Sequence, residues 1–151
     1  MKRAFRFRLL RVQRLRVAEE DLARADLLRT RTALAEAEAF RDRLAASLLN
    51  TRQERLVARQ AKTFDPALDQ LGEDLEHQLE VRIAGQATRV AAAQEEVETA
   101  LSAYRERRQQ REALDRLSDL ALDRHKQALA SADQAEADEA SAARHARTKL
   151  P

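Results

Sequence analysis

Apolar residues recur along the first half of the chain at intervals of three and four residues. They form a ladder on one face of a helix at Leu15, Ala18, Leu22, Ala25, Leu28, Ala35 and Ala39, with Thr32 in the intervening slot. The ladder continues with a shift in phase through Phe40, Leu44 and Leu48, as expected when a real helix drifts against a strict seven-residue repeat. This spacing predicts one long helix from about residue 5 to about residue 61.

The second half has the same spacing and opens with a helix-start signal. Asp65 precedes Pro66; an aspartate can accept hydrogen bonds from the first amides of a helix, and a proline at the first position loses no needed donor. The apolar positions that follow are Leu68, Leu71, Leu75, Leu79, Ile83, Val90, Ala93, Val97, Leu101, Tyr104, Leu114, Leu117 and Ala121. We therefore predict a turn at 62–65 and a second helix from about residue 66 to about residue 145.

Glycine and proline, which punctuate local structure most strongly, are almost missing. Residues 1–65 and 86–150 contain neither, and Gly72 and Gly85 are candidate bends near the turn. The sequence therefore predicts an all-α fold, a long antiparallel two-helix coiled coil (helical hairpin) that occupies residues 1–151 as a single domain. With the turn centred near residue 64, the register places Leu15 roughly opposite Leu114.

Composition agrees with this fold and argues against an enzyme. The chain is 36% charged and 3% aromatic, which is typical of a coiled coil. A coiled coil of two helices is too thin to form a concave, water-excluding pocket. There is no cysteine, and His77, His125 and His145 are far apart in sequence, so no metal site is predicted. No glycine-rich phosphate loop or nucleophile elbow is present. We expect a non-enzymatic protein with no bound cofactor.

No segment of the chain resembles a targeting or membrane-spanning sequence. Charges every two or three residues interrupt the N-terminus, and no apolar run approaches the roughly 20 residues needed to span a bilayer. These features predict a soluble, cytoplasmic protein.

Charge is distributed unevenly between the two ends of the chain. Residues 1–17 hold seven Lys or Arg and no acid, whereas residues 127–143 hold no base and the four acids Asp133, Glu136, Asp138 and Glu139. The basic segment, which includes Arg3, Phe5 and Phe7, suggests an alternative function as a coiled-coil protein that binds nucleic acid or a membrane surface. The acidic tail extends beyond the end of helix one, so we expect it to fray and to become ordered only on a partner.

A second basic cluster lies at 104–111, opposite Glu19, Glu20 and Asp21 in the predicted register. Two interpretations are open. The first is cross-helix ion pairing, which is worth little per exposed pair and which we favour. The second is an arginine-lined contact for an acidic loop of a partner protein.

Three motifs give the chain a resemblance to the flagellar export protein FliJ family. They are FRFRLLRV at 5–12 followed by Glu19-Glu20, YRERRQ at 104–109 followed by Arg111 and Leu114, and DQAEADEA at 133–140. The resemblance covers nearly the full length of the chain. Tyr104 stands where some members of the family have tryptophan.

The resemblance implies a soluble component of the flagellar type III protein export apparatus, similar in form to the central stalk of rotary ATPases. Such a protein binds and stimulates the export ATPase, contacts the cytoplasmic part of the membrane export gate and the export chaperones, and associates peripherally with the inner membrane at the flagellar base. No nucleic-acid partner is expected. An injectisome stalk protein is an alternative that periodicity does not separate from this assignment.

The resemblance also implies two sets of contact residues. The ATPase-binding candidates are Arg105, Arg108, Arg111, Leu114, Asp138 and Glu139. The export-gate-binding candidates are Phe40, Leu44, Leu75 and Leu79. For the second set, ordinary packing between the helices is the competing interpretation, because the spacing of three and four residues would produce it without a partner.

Overall fold

The chain forms two long helices in the computed structural model, which describes residues 5–148. Helix α1 spans Leu10–Gln60, and helix α2 spans Pro66–Thr148. The described residues contain no strand, and the helices pack against each other. Gln13 contacts Asp115, and Arg52 contacts Glu76, as an antiparallel register requires. The predicted all-α helical hairpin is therefore confirmed.

Helix α1 begins at Leu10, later than its apolar spacing predicts. Its first turn contains no acidic residue, and Arg6, Arg8 and Arg11 surround it. A helix N-terminus carries a partial positive charge, and these positively charged arginines are repelled by it. Extending the helix toward Arg6 and Arg8 is therefore unfavourable, and the residues before Leu10 stay outside it. The amide of Leu10 donates instead to the carbonyl of Phe7 at 3.2 Å.

Helix α2 begins at the predicted signal. The Asp65 carboxylate accepts a hydrogen bond from the backbone amide of Ala67 at 2.9 Å, and Pro66 occupies the first helical position. The helix continues through Gly72 and Gly85, and neither glycine has a positive φ.

Two compact units make up the chain. One is Leu22–Arg105, which contains the turn, and the other comprises the described residues on either side, 5–21 and 106–148. Each unit takes one stretch from α1 and one from α2.

The core of the Leu22–Arg105 unit is a narrow seam between the helices. Its buried apolar side chains are Leu27, Leu44, Leu79, Val90 and Ala100. Two buried polar side chains share the seam and find partners there: Gln86 donates to the carbonyl of Ala37 at 3.0 Å, and Thr30 donates to the carbonyl of Leu27 at 3.0 Å. Because both are hydrogen-bonded, they are tolerated inside.

The apolar ladder predicted for α1 from Leu15 to Ala39 has the right spacing and the wrong phase, whereas in its predicted continuation Leu44 is buried and Phe40 and Leu48 are half-buried. Leu15, Leu22 and Leu28 are 56%, 72% and 67% exposed, whereas Leu27 is 6% exposed. The face of α1 that packs against α2 is a second ladder of the same spacing, in which the buried or half-buried residues are Gln13, Arg16, Glu20, Ala23, Leu27, Thr30, Leu34, Ala37, Arg41, Leu44, Leu48, Thr51 and Arg55. It holds several charged residues, and most of these find hydrogen-bonding partners, as described below.

In α2 the predicted phase is right from Leu79 onward through most of the seam. Leu79 and Val90 are buried, and the half-buried members are Ile83, Ala93, Val97, Leu101, Tyr104, Leu114 and Ala121. The prediction is wrong at Leu68, Leu71, Leu75 and Leu117, whose side chains are exposed.

The acidic tail is helical, contrary to the expectation that it frays. Every side chain from 131 to 145 is exposed, yet α2 continues to Thr148. The tail is rich in alanine, the best helix former, and Gln134 donates to the carboxylate of Asp138 one turn later at 2.9 Å.

Candidate functional site

A layer of charged side chains lies between the helices in the unit formed by 5–21 and 106–148. Arg111 on α2 donates one hydrogen bond to Glu20 on α1 and another to Asp115 at 2.6 Å. Gln13 on α1 donates to the other oxygen of Asp115, also at 2.6 Å. The Arg111 guanidinium thus donates from two of its nitrogens to two different carboxylates, which its several N–H groups allow.

Glu19 extends the same charged layer. Arg16, one turn earlier on α1, donates to Glu19 at 2.8 Å and to Gln110 on α2 at 2.9 Å. Arg107 reaches Glu19 from α2 at 3.4 Å. The prediction that the 104–111 cluster pairs with acids of α1 is therefore confirmed for Arg107 and Arg111.

These contacts shift the pKa of the groups involved. The pKa of Arg111 is raised, first by its hydrogen bond to Glu20 and then by that to Asp115. The pKa of Asp115 is lowered, chiefly by the hydrogen bond from Gln13 and further by Arg111. The charged forms of both groups are favoured.

The six ATPase-binding candidates fall into three different environments. Arg111 is committed to the seam, and Leu114 is half-buried beside it. Arg105 and Arg108 are exposed, and Arg108 donates to Glu112 at 2.8 Å. The remaining two, Asp138 and Glu139, are exposed on the acidic tail.

The N-terminal basic segment is described only from Phe5 onward, so Arg3 lies outside the described residues. Phe5 packs against His125 of α2, with ring centroids 5.6 Å apart. Arg6, Arg8 and Arg11 are exposed.

A second cluster of charges lies near the turn, in the Leu22–Arg105 unit. Arg55 donates to Asp69 at 3.2 Å and to Glu76 at 2.7 Å. Arg59 also donates to Asp69, at 2.9 and 2.7 Å, and Arg52 donates to Glu80. We call Arg55, Arg59, Asp69 and Glu76 the turn clasp. It replaces the apolar seam where the helices approach the turn.

Gly72 gives the turn clasp the space that it needs. A Cβ atom at position 72 would lie 2.7 Å from Cδ and 2.8 Å from Cγ of Arg55, much closer than real Cβ contacts. At Gly85, by contrast, a Cβ atom would meet nothing within 4 Å. Glycine is therefore needed at position 72 because the Arg55 side chain occupies the space that a Cβ atom would fill, and not because the helix bends there.

The turn clasp predicts acid sensitivity. The hydrogen bond from Arg59, followed by that from Arg55, lowers the pKa of Asp69 to about 2, and Arg55 lowers the pKa of Glu76. A carboxyl group whose pKa is lower in the folded chain stabilises the fold above its unfolded pKa, about 3.9 for aspartate, and this stabilisation is lost as the pH falls toward 2. We expect the melting temperature to fall between about pH 4 and about pH 2, and to fall less steeply in Asp69→Asn.

Thermal unfolding followed by circular dichroism over this pH range measures the effect. Asp119→Asn is the matched control, because Asp119 is exposed and forms no ion pair with another described residue. A pH profile that Asp69→Asn leaves unchanged would contradict a stabilising role for Asp69.

An open groove of about 340 Å³ lies beside the turn clasp. Its apolar lining consists of Ala58, Ala61, Phe64, Leu68, Gly72 and Leu75, and the carboxylates of Glu54 and Asp65 also line it. Of the four gate-binding candidates, only Leu75 lines this groove.

The other three gate-binding candidates lie elsewhere in the unit. Leu44 and Leu79 are each 7% exposed and belong to the seam. Phe40 is half-buried, and the guanidinium carbon of Arg43 lies 5.6 Å from its ring centroid. Packing between the helices thus accounts for Leu44 and Leu79.

Sequence reasoning missed the exposed apolar residues around the turn. The predicted ladders omit Leu56, Val57 and Phe64 and place Leu68 in the seam, yet all four side chains are at least half exposed. A signal was present in the sequence. Leu56 and Val57 follow Arg55 directly, so once Arg55 is placed in the seam the helical period turns both outward.

Two further properties of the described residues bear on function. No helix within 5–148 is both long enough and apolar enough to cross a membrane. The same residues contain no group of three or more histidine or acidic side chains arranged to hold a metal ion.

Comparison with known proteins identifies a matching family. The family model described as flagellar FliJ protein matches residues 5–150, nearly the whole chain. No curated protein and no solved structure matches the chain significantly.

Proposed function

The chain belongs to the flagellar FliJ protein family, and on that premise we propose that it is a stalk-like adaptor that binds and stimulates the flagellar export ATPase. Membership makes it a component of flagellar type III export, in a family of non-catalytic proteins. In this role the protein also links the ATPase to the membrane export gate and to the export chaperones. The observation that carries it is the family match over residues 5–150, and the helical hairpin suits a stalk.

The charged layer divides the ATPase-binding candidates into two roles. Arg105 and Arg108 present exposed guanidinium groups, which suit direct contact with acidic groups of the ATPase. Arg111 is bound to Glu20 and Asp115, so it positions this stretch of α2 and does not reach outward. Leu114 packs beside it, and Asp138 and Glu139 supply an acidic contact on the tail.

The gate contact is proposed for the turn half of the chain. Phe40 is half-buried and Leu75 is exposed, whereas Leu44 and Leu79 are buried in the seam. Through this contact the protein would associate with the cytoplasmic side of the inner membrane without entering it. The chaperone contact is proposed without assigned residues.

Reversing two exposed charges tests the ATPase contact. We expect the double variant Arg105→Glu/Arg108→Glu to weaken binding to the export ATPase of the same organism by about tenfold, because attraction becomes repulsion at the interface. Binding is measured by calorimetry, and ATP turnover is measured with and without the protein. The wild-type chain should raise turnover, and the variant should need a higher concentration for the same effect.

Arg82→Glu/Arg89→Glu is the matched control. Both arginines are exposed on α2, form no ion pair with another described residue and lie outside the candidate set. Circular dichroism confirms that each variant is helical. Equal affinity of the wild type and the Arg105→Glu/Arg108→Glu variant would reject these two contacts, and no binding by the folded wild type would reject the stalk role.

A further inference from the structure

Helix α1 carries an apolar stripe on the side that faces away from α2. Leu22 and Leu28 lie on this side with 72% and 67% of their surfaces exposed, and Ala25 is exposed between them. Most of the predicted ladder of α1 falls here, so the pattern that identifies a coiled-coil seam is present on an uncovered surface. A stripe of this kind marks a site of helix packing.

Small residues recur every seventh position along the middle of the stripe. They are Ala18, Ala25, Thr32 and Ala39, and all four side chains are exposed. A row of small side chains lets a second helix approach closely, with Leu22 and Leu28 on either side of the row. The stripe is therefore suited to another helix and not to a small ligand.

The charges on this side of α1 change sign about Ala25. Asp21 lies four residues before Ala25 and Arg29 lies four residues after it. Arg14 lies eleven residues before Ala25, and Glu36 lies eleven residues after it. Each of these four charges thus has an opposite charge at the same separation on the other side of Ala25.

This arrangement is complementary to itself when the helix is reversed. If two copies of α1 run antiparallel and meet at Ala25, Asp21 lies level with Arg29 of the second copy, and Arg14 lies level with its Glu36. Leu22 also lies level with Leu28 of the second copy. In a parallel pair each charged residue would instead lie level with the identical residue of the second copy, so like charges would meet.

Three of these charged groups have no competing partner in their own chain. Arg14, Asp21 and Glu36 are exposed and form no ion pair with any other residue in the described range 5–148. Arg29 donates to Asp26 at 2.6 Å at an exposed position, a contact that an additional acid can share. Long arginine side chains can reach across the Ala/Thr row to the opposite acid.

We propose that this stripe binds a second copy of the chain, with the two α1 helices antiparallel and centred on Ala25. The interface is small, so the expected dissociation constant is in the range of about 1 to about 100 μM. The inference is independent of the export role, since it uses a different surface and a different partner.

Sedimentation equilibrium of the full chain over a range of concentrations tests the proposal. Leu22→Glu and Leu28→Glu should each weaken dimerisation at least about tenfold, because a carboxylate replaces an apolar contact at two symmetric points. Leu49→Glu is the matched control; Leu49 is 57% exposed on α1 and lies outside the stripe. Circular dichroism verifies that each variant remains helical.

Charge reversal tests the direction and register of the pair. Arg14→Glu and Glu36→Arg should each weaken dimerisation by roughly fivefold to tenfold, because two opposite-charge contacts become like-charge contacts. The double variant Arg14→Glu/Glu36→Arg should recover wild-type affinity, since the opposite charges are restored in exchanged positions.

Recovery in the double variant supports the antiparallel pair centred on Ala25. A wild-type chain that stays monomeric at about 500 μM overturns the proposal. A dimer that Leu22→Glu and Leu28→Glu leave intact overturns it as well, because the copies then meet elsewhere. Additive losses in the Arg14→Glu/Glu36→Arg variant reject the register.

Discussion

Replacing Leu27 with alanine is expected to lower the free energy of unfolding by about 2 to 4 kcal/mol, whereas the same change at Leu28 should cost less than about 0.5 kcal/mol. Leu27 is 6% exposed, and its removal leaves a gap in a seam that has few large apolar residues. Leu28 is 67% exposed and loses little contact within the chain. Two leucines adjacent in sequence should therefore differ by an amount that is easily measured.

Urea unfolding followed by circular dichroism measures both variants. The protein concentration is kept well below that at which copies associate, so that the outward stripe does not contribute. The slope of the free energy against urea should stay constant, which shows that the variants unfold to the same extent. Equal losses at Leu27 and Leu28 would contradict the assigned phase, and a larger loss at Leu28 would place the outward stripe in the seam.

The two leucines also show which part of the fold the sequence predicts. The spacing of three and four residues identifies a helix wherever it occurs, and the Asp65-Pro66 signal identifies where the second one begins. The spacing does not identify which face is buried when a helix carries two ladders. In α1 the ladder that holds Leu15, Leu22 and Leu28 lies outside, and the ladder with Arg16, Glu20 and Arg55 lies inside.

The more polar ladder of α1 is buried because its charged residues form pairs with residues of α2, and such pairs are not visible at single positions. A charged residue enters a seam at a high cost unless a partner of opposite charge meets it there. Arg111 meets Glu20, and the register predicted from the sequence places these two residues near each other. The more polar face can therefore pack, which a scale that scores residues one at a time does not detect.

The candidate site was predictable to a similar extent. The motif at 104–109 with Arg111 and Leu114 located the charged layer, and the register identified its acidic partners. Which arginines point outward was not predictable, because Arg107 and Arg111 differ from Arg105 and Arg108 only in their angle around α2. That angle can be assigned only when the buried face of the helix is known, and the spacing alone does not identify this face.

The two glycines of α2 should respond in different ways to alanine, although both lie within the same helix. Gly85→Ala is expected to raise the free energy of unfolding by about 1 kcal/mol, because alanine favours the helix and restricts the unfolded chain. Its new Cβ atom meets nothing within 4 Å. Gly72→Ala should lose this gain or reverse it, because its Cβ atom would lie 2.7 Å from Cδ of Arg55.

A double-mutant cycle isolates the cause of this difference. In a chain that already carries Arg55→Ala, the obstructing side chain is gone, so Gly72→Ala should stabilise the fold by about 1 kcal/mol, as Gly85→Ala does. Urea unfolding of the four chains in the cycle provides the comparison. If Gly72→Ala stabilises the wild-type chain as much as it stabilises the Arg55→Ala chain, Gly72 makes no room for Arg55. If the gain requires the loss of Arg55, the glycine is present because an arginine crosses the seam at that level to reach Asp69 and Glu76.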